Sequence, residues 1–155
     1  MTDQEKIQRP IQILVVDDNP ADVYLMLTAL RDARIRNEIH TATDGEEALA
    51  FLRRQREHAD APCPDLVFLD LHLPRIDGYE VLAAMKADPQ LRRIPVIVVS
   101  GSKEESDLAR AYDQHIAGYL VKPIRHDEYF MAIRAVKELW LHVVTLPPKS
   151  ESAAV

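Results

Sequence analysis

The stretch Asp65-Leu-Val-Phe-Leu-Asp-Leu-His-Leu-Pro74 decides the fold. Its apolar run, residues 66–69, is too short for a helix and shows no alternation of polar and apolar side chains. A strand with one wet face alternates; a strand covered on both faces of a parallel sheet does not. Residues 11–16 and 96–99 have the same character, and weaker strands are predicted over 38–41 and 117–121. Helical periodicity fills the intervals. The first helix opens at Asn19-Pro20, a capping residue followed by proline at the first helical position, with Val23, Met26, Leu27 and Leu30 on its apolar face. The second is predicted over about 44–57, with Ala48, Leu49, Phe51 and Leu52 apolar, and the third starts near Gly78 and carries Val81, Leu82 and Met85. A fourth, over about 103–115, sets Leu108, Ala111, Tyr112 and His115 on one face, and the last runs from about 125 to 143 or beyond. The order is (βα)₅, an α/β fold with a doubly wound five-stranded parallel sheet and helices on both faces.

Composition narrows the function. The chain has 155 residues, one domain's worth, and a net charge of -6, which advertises no basic surface to nucleic acid or to an anionic membrane. Its one cysteine, Cys63, has no partner for an intrachain disulfide and points to a reducing compartment. Residues 1–10 are polar, charged and expected to be flexible, with no apolar signal-peptide run, and no stretch nears the roughly 18 apolar residues of a membrane span. The expectation is a cytoplasmic protein.

In a doubly wound sheet the site lies beyond the carboxyl ends of the strands, where strand order reverses. The first strand ends in Asp17-Asp18, the third in Asp70, the fourth in Ser100-Gly101 and the fifth in Lys122-Pro123. Three carboxylates brought to one edge raise each other's pKa unless a cation compensates, and Mg²⁺ suits a site with few carboxylates, several waters and a phosphate oxygen. A hydroxyl and an ammonium beside them complete a set for phosphoryl transfer, which needs positioning and charge compensation above all. In that chemistry Asp70 is the nucleophile, Ser100 and Lys122 bind phosphoryl oxygens, and the backbone at Gly101 offers a further donor. Singly, each feature has a plainer explanation: an acidic pair after a strand is commonly a helix cap, and Lys-Pro is commonly a loop. Together, at the ends of separately predicted strands, they point to one site.

These residues resemble the receiver domain family of two-component response regulators. The resemblance is carried by Ile13-Leu-Val-Val-Asp-Asp-Asn19, by residues 65–74, by Asp77-Gly78-Tyr79, by Pro95-Val-Ile-Val-Val-Ser-Gly101 and by Gly118-Tyr-Leu-Val-Lys-Pro123. It covers about 11–144 and implies a flavodoxin-like receiver fold, a sensor histidine kinase as phosphodonor and Asp70 as phosphoacceptor. It also implies Mg²⁺ bound by Asp17, Asp18, Asp70 and the backbone carbonyl of His72, with Asp18 the direct ligand and Asp17 assisting. Ser100 and Tyr119 resemble the family's switch pair, although Tyr119 alone is also an ordinary half-buried strand aromatic. The bond before Pro123 resembles one that is cis in the family. The side chain of His72 either influences loss of the phosphoryl group or is a plain surface residue.

After about Val144 only a tail, residues 145–155, remains, so output is expected through a downstream protein target or a phosphotransfer protein rather than DNA. At about 100° per residue, Tyr129, Ile133, Val136, Trp140 and Val143 form one core-facing stripe of the last helix. Leu139, Leu141 and Leu146 fall outside it; with Trp140 they are candidates for a homodimer interface, the alternative being a helix end covered by its own tail. The long connection over 57–64 and the 140–147 segment resemble small response regulators paired with bacterial and cyanobacterial phytochrome kinases. Two rival functions remain at this level: a Mg²⁺-dependent phosphatase with an aspartyl nucleophile, and a scaffold receiver that works without phosphorylation. His72 stands where such phosphatases usually carry a second acid.

Overall fold

In a computed structural model the described residues are 10–33 and 36–142, with side chains described as far as residue 135. The chain runs β1 (Ile11–Val16), α1 (Pro20–Asp32), β2 (Asn37–Ala42), α2 (Gly45–Leu52), a 3₁₀ turn (Arg56–His58), β3 (Leu66–Asp70), α3 (Gly78–Ala87), β4 (Val96–Ser100), α4 (Glu105–Tyr112), β5 (Gly118–Val121) and α5 (His126–His142). The strands form one parallel sheet in the order β2-β1-β3-β4-β5, so the predicted (βα)₅ fold is the one observed.

All of β3 and β4 is buried, and so are the last four residues of β1, which is why these strands lack a polar face. The pleat still alternates, between two apolar layers. Ile13, Val15, Leu66, Phe68, Ile97 and Val99 pack toward Met26, Ala29 and Leu30 of α1 and Tyr129 and Ile133 of α5. Leu14, Val16, Val67, Leu69, Val96 and Val98 pack toward α2, α3 and Ala111 of α4. Successive residues therefore enter opposite cores, and the same parity carries on into the polar residues at the strand ends.

Two helix readings need correction. The second helix stops at Leu52, not near residue 57. Arg54 adopts a left-handed φ of 55°, its N–H bonds the Phe51 carbonyl at 3.2 Å and the Gln55 N–H bonds the Ala50 carbonyl at 2.9 Å. That is a Schellman stop built on arginine instead of glycine, so the usual sequence signal is missing. The fourth helix spans Glu105–Tyr112, with Ala111 its one buried residue; Tyr112 is 49% exposed and His115, in a left-handed turn, is exposed, so neither lies on an apolar face. On α1, Leu25 also packs against the core, beside the predicted Val23, Met26 and Leu30. The capping of α1 is as the sequence indicates: Asn19 Oδ1 accepts from the backbone N–H of Ala21 at 2.9 Å and of Asp22 at 3.3 Å. The backbone of Leu139, Trp140 and Leu141 belongs to α5, but their side chains lie outside the described residues. Leu146, residues 1–9 and the 145–155 tail also lie outside the described residues.

Gly78 opens α3 directly against the end of β3. Its N–H donates to the Leu71 carbonyl at 2.9 Å, and a Cβ at this position would collide with the Asp70 carbonyl oxygen and Leu71 Cα. Backbone on both sides leaves no flexible side chain to give way. Gly78→Ala is expected to destabilise the fold by about 2 kcal/mol or more, read as a lower midpoint in urea unfolding; an unchanged midpoint would show that the helix start can shift.

Candidate functional site

The polar residues at the strand ends follow the two-layer parity. Asp17 continues from Ile13 and Val15, Asp70 from Leu66 and Phe68, and Lys122 from Leu120, all toward the α1/α5 layer. Ser100 continues from Val96 and Val98 toward the α3/α4 layer, where Tyr119 also packs. One sheet edge thus carries an acidic chamber on one side and a hydroxyl–tyrosine pair on the other.

In the chamber, Lys122 Nζ lies 2.9 Å from Asp17 Oδ2, 3.0 Å from Asp70 Oδ2 and 2.9 Å from Asp22 Oδ2. Both Asp17 and Asp70 are buried, and each turns its second oxygen to a backbone donor two residues on. Asn19 N–H reaches Asp17 Oδ1 at 2.9 Å and His72 N–H reaches Asp70 Oδ1 at 2.9 Å. Asp18 is exposed, yet one carboxylate oxygen each from Asp17, Asp18 and Asp70 lies within 4.8 Å of the others. Burial pushes the Asp17 carboxyl above its ordinary value, against the opposing pull of the Asn19 N–H and Lys122. Burial also works to lower the Lys122 ammonium, but its bonds to Asp22, Asp17 and Asp70 prevail and hold it well above the usual lysine range. Tyr129, 2% exposed, closes the chamber from α5; burial first, then the charge of Asp22, pushes its phenol up.

Ser100 is fully buried, and its Oγ accepts from the Ser102 N–H at 3.3 Å. The Lys122 N–H donates to the Ser100 carbonyl at 2.7 Å, tying the ends of β4 and β5 together, and the Lys122–Pro123 bond is cis. Gly101 is exposed, with open space around the position its Cβ would take. Tyr119 does not stand free: its hydroxyl donates to the Ser102 carbonyl at 3.0 Å. Ser102 Oγ in turn donates to Asp107 Oδ2 at 2.6 Å, the Tyr79 hydroxyl donates to Asp107, and the Arg110 guanidinium sits 3.8 Å from the centre of the Tyr79 ring. Sequence reasoning missed this network and missed Asp22. An acid in a first helical turn is ordinary complementation of the helix dipole, so Asp22 gave no distinguishing signal. The link from Tyr79 to Asp107 joins residues far apart in sequence, where no short motif exists.

The donor set fits a hard divalent cation. The ligands are carboxylate oxygens, they converge, and four carboxylates face one ammonium, so the chamber is short of positive charge. The fold and this chamber define a class: a doubly wound α/β domain with an acidic, lysine-bridged pocket at the carboxyl edge of its sheet. The family model described as Response regulator receiver domain matches residues 13–134, and the chain belongs to that family. It is 41% identical over 138 residues to Response regulator Rcp1 of Synechocystis sp., spanning 89% of this chain and 94% of that one. It is 39% identical over 132 residues to the probable methanogenesis regulatory protein FilR2 of Methanothrix harundinacea, spanning 85% and 84%. Among solved structures, the phosphorylated cyanobacterial phytochrome response regulator RcpA superposes with a TM-score of 0.81 at 43% identity, over 90% of this chain and all of that one. The Mn²⁺-bound form of Rcp1 gives 0.79 at 40% identity with the same coverage. No helix among the described residues is long and apolar enough to cross a membrane.

A cation that binds only the folded chain raises its melting point by mass action, by about 2.7 kcal/mol at a hundred times Kd, or roughly 5–10 °C for a chain of this size. Mg²⁺ is expected to produce that shift in wild type. Asp17→Asn removes a carboxylate that burial disfavours while Lys122 keeps two partners, so it is expected to melt higher than wild type without Mg²⁺ and to lose most of the shift. Equal shifts in both proteins, by calorimetry, would exclude Asp17 as a ligand.

Proposed function

We propose that this chain is a phosphorylation-switched signalling module that takes a phosphoryl group on Asp70 from a sensor histidine kinase. The observation that carries this reading is the bridge from Lys122 Nζ to Asp17 and Asp70, at 2.9 and 3.0 Å, beside the acid trio. A carboxylate oxygen of Asp70 forms the new O–P bond as the donor's P–N bond breaks, and that electron pair leaves with the imidazole. Lys122 trades its bond to Asp70 for one to a phosphoryl oxygen, and Ser100 Oγ and the Gly101 backbone offer donors to the others. Asp17, Asp18, Asp70 and the His72 carbonyl would hold Mg²⁺, which would supply positive charge against the same oxygens. Ser100 moving toward the phosphate draws Tyr119 off the Ser102 carbonyl and inward, which alters the α4–β5–α5 face that a partner reads. The domain is no enzyme toward other substrates; its chemistry is its own phosphorylation and dephosphorylation. A cytoplasmic setting suits the lone, half-buried Cys63.

The likeness to Rcp1 and RcpA supports a phytochrome kinase as the phosphodonor. Acetyl phosphate with Mg²⁺ is expected to label wild type and leave Asp70→Asn unlabelled. Profiling against autophosphorylated kinases is expected to show fastest transfer from a phytochrome kinase. Labelling of the Asn variant at the wild-type level would refute Asp70 as acceptor.

The exposed leucines expected at the end of the last helix support a homodimer through Leu139, Trp140, Leu141 and Leu146. Sedimentation at micromolar concentration is expected to show a dimer for wild type and a monomer for Leu139→Ala with Trp140→Ala; a monomer in both cases rejects this interface.

A further inference from the structure

Lys122 has one more partner than phosphoryl transfer at Asp70 calls for. An ammonium has three N–H donors, and here three carboxylates stand at 2.9, 2.9 and 3.0 Å. Asp22 differs from the other two. It lies outside the trio of convergent metal-type donors, it belongs to the first turn of α1, and its side chain is 24% exposed against 7% for Asp17 and Asp70. With Tyr129 and Met26 it lines the α1/α5 wall of the chamber.

A divalent cation held by the trio would draw on Asp17 and Asp70, the two buried carboxylates that Lys122 also contacts. An ammonium left only 16% exposed cannot shed two carboxylates without a replacement, because an uncompensated buried charge is costly. Asp22 is that replacement: a full negative charge already in contact, on an element that contributes none of the three metal-type donors. We propose that Asp22 is a positioning residue that holds the Lys122 ammonium while Asp17 and Asp70 turn to the cation. It thereby sets the affinity of the acidic trio for Mg²⁺. This rests on the phosphoacceptor reading of the site and deepens it.

The test is Mg²⁺ titration by isothermal calorimetry on the full chain, with no phosphodonor present. Asp22→Asn is expected to weaken Mg²⁺ binding about five- to tenfold, the scale of one partly buried charge contact, and Asp22→Glu to stay within about twofold of wild type. In a Lys122→Ala background, Asp22→Asn is expected to change the affinity by less than about twofold, since the residue acts through the lysine. Unchanged affinity in Asp22→Asn overturns the proposal. So does an equal loss with and without Lys122, which would mark a simple loss of charge. Circular dichroism and melting establish that each variant is folded, and Asp22→Glu reads the position if the Asn variant is not. Acetyl phosphate labelling of wild type at Asp70 is scored separately, so failure of the phosphoacceptor reading leaves the titration interpretable.

Discussion

The ammonium of Lys122 holds the upper edge of this sheet together. It draws β5, β1, β3 and α1 to one point, through Asp17, Asp70 and Asp22. Without it the buried Asp17 and Asp70 would stand beside Asp22 and the exposed Asp18 with nothing between, and at an effective dielectric near 20 a like-charge contact at about 4 Å costs ~4 kcal/mol. With it the chamber is tolerable but still short of positive charge. That remaining deficit makes the site receptive to a cation. Stability and reactivity are here set by the same imbalance.

The pleat of the sheet separates two jobs that meet at one edge. Odd positions of β1 and even positions of β3 feed the acidic side; even positions of β4 feed the side of Ser100 and Tyr119. The acidic chamber and the hydroxyl–tyrosine pair therefore occupy opposite faces of one sheet edge. Their junction is short: Ser100 Oγ to the Ser102 N–H, the Ser102 carbonyl to the Tyr119 hydroxyl, and Ser102 Oγ onward to Asp107 and Tyr79. Every member of that chain has a partner, so a displacement of Ser100 has to break a specific hydrogen bond before anything else moves.

Much of this was legible in the sequence, for reasons that can be named. The runs at 13–16, 66–69 and 96–99 are unbroken because two apolar layers cover them, and a run that ends abruptly in a charged or hydroxyl residue marks where the cover stops. Asp17, Asp70 and Ser100 were placed at strand ends on that basis, and Lys122 by the weaker run over 117–121. The ends of α2 and α4 were not, because Arg54 and His115 take left-handed conformations that sequence normally signals with glycine or asparagine. Spacing alone placed Tyr112 on one face with Leu108 and Ala111, yet α4 buries only Ala111. Asp22 escaped because its identity fits two roles equally well, and only the position of Nζ tells them apart.

Gly78 gives the domain a stator. Its backbone lies against the backbone of Asp70 and Leu71 with no side chain between, so α3 and β3 are clamped as one body. Gly101 and Gly118, at the end of β4 and the start of β5, face open space instead. The sheet edge is therefore a one-sided bearing: packed backbone to backbone where β3 meets α3, and open in space at the ends of β4 and β5.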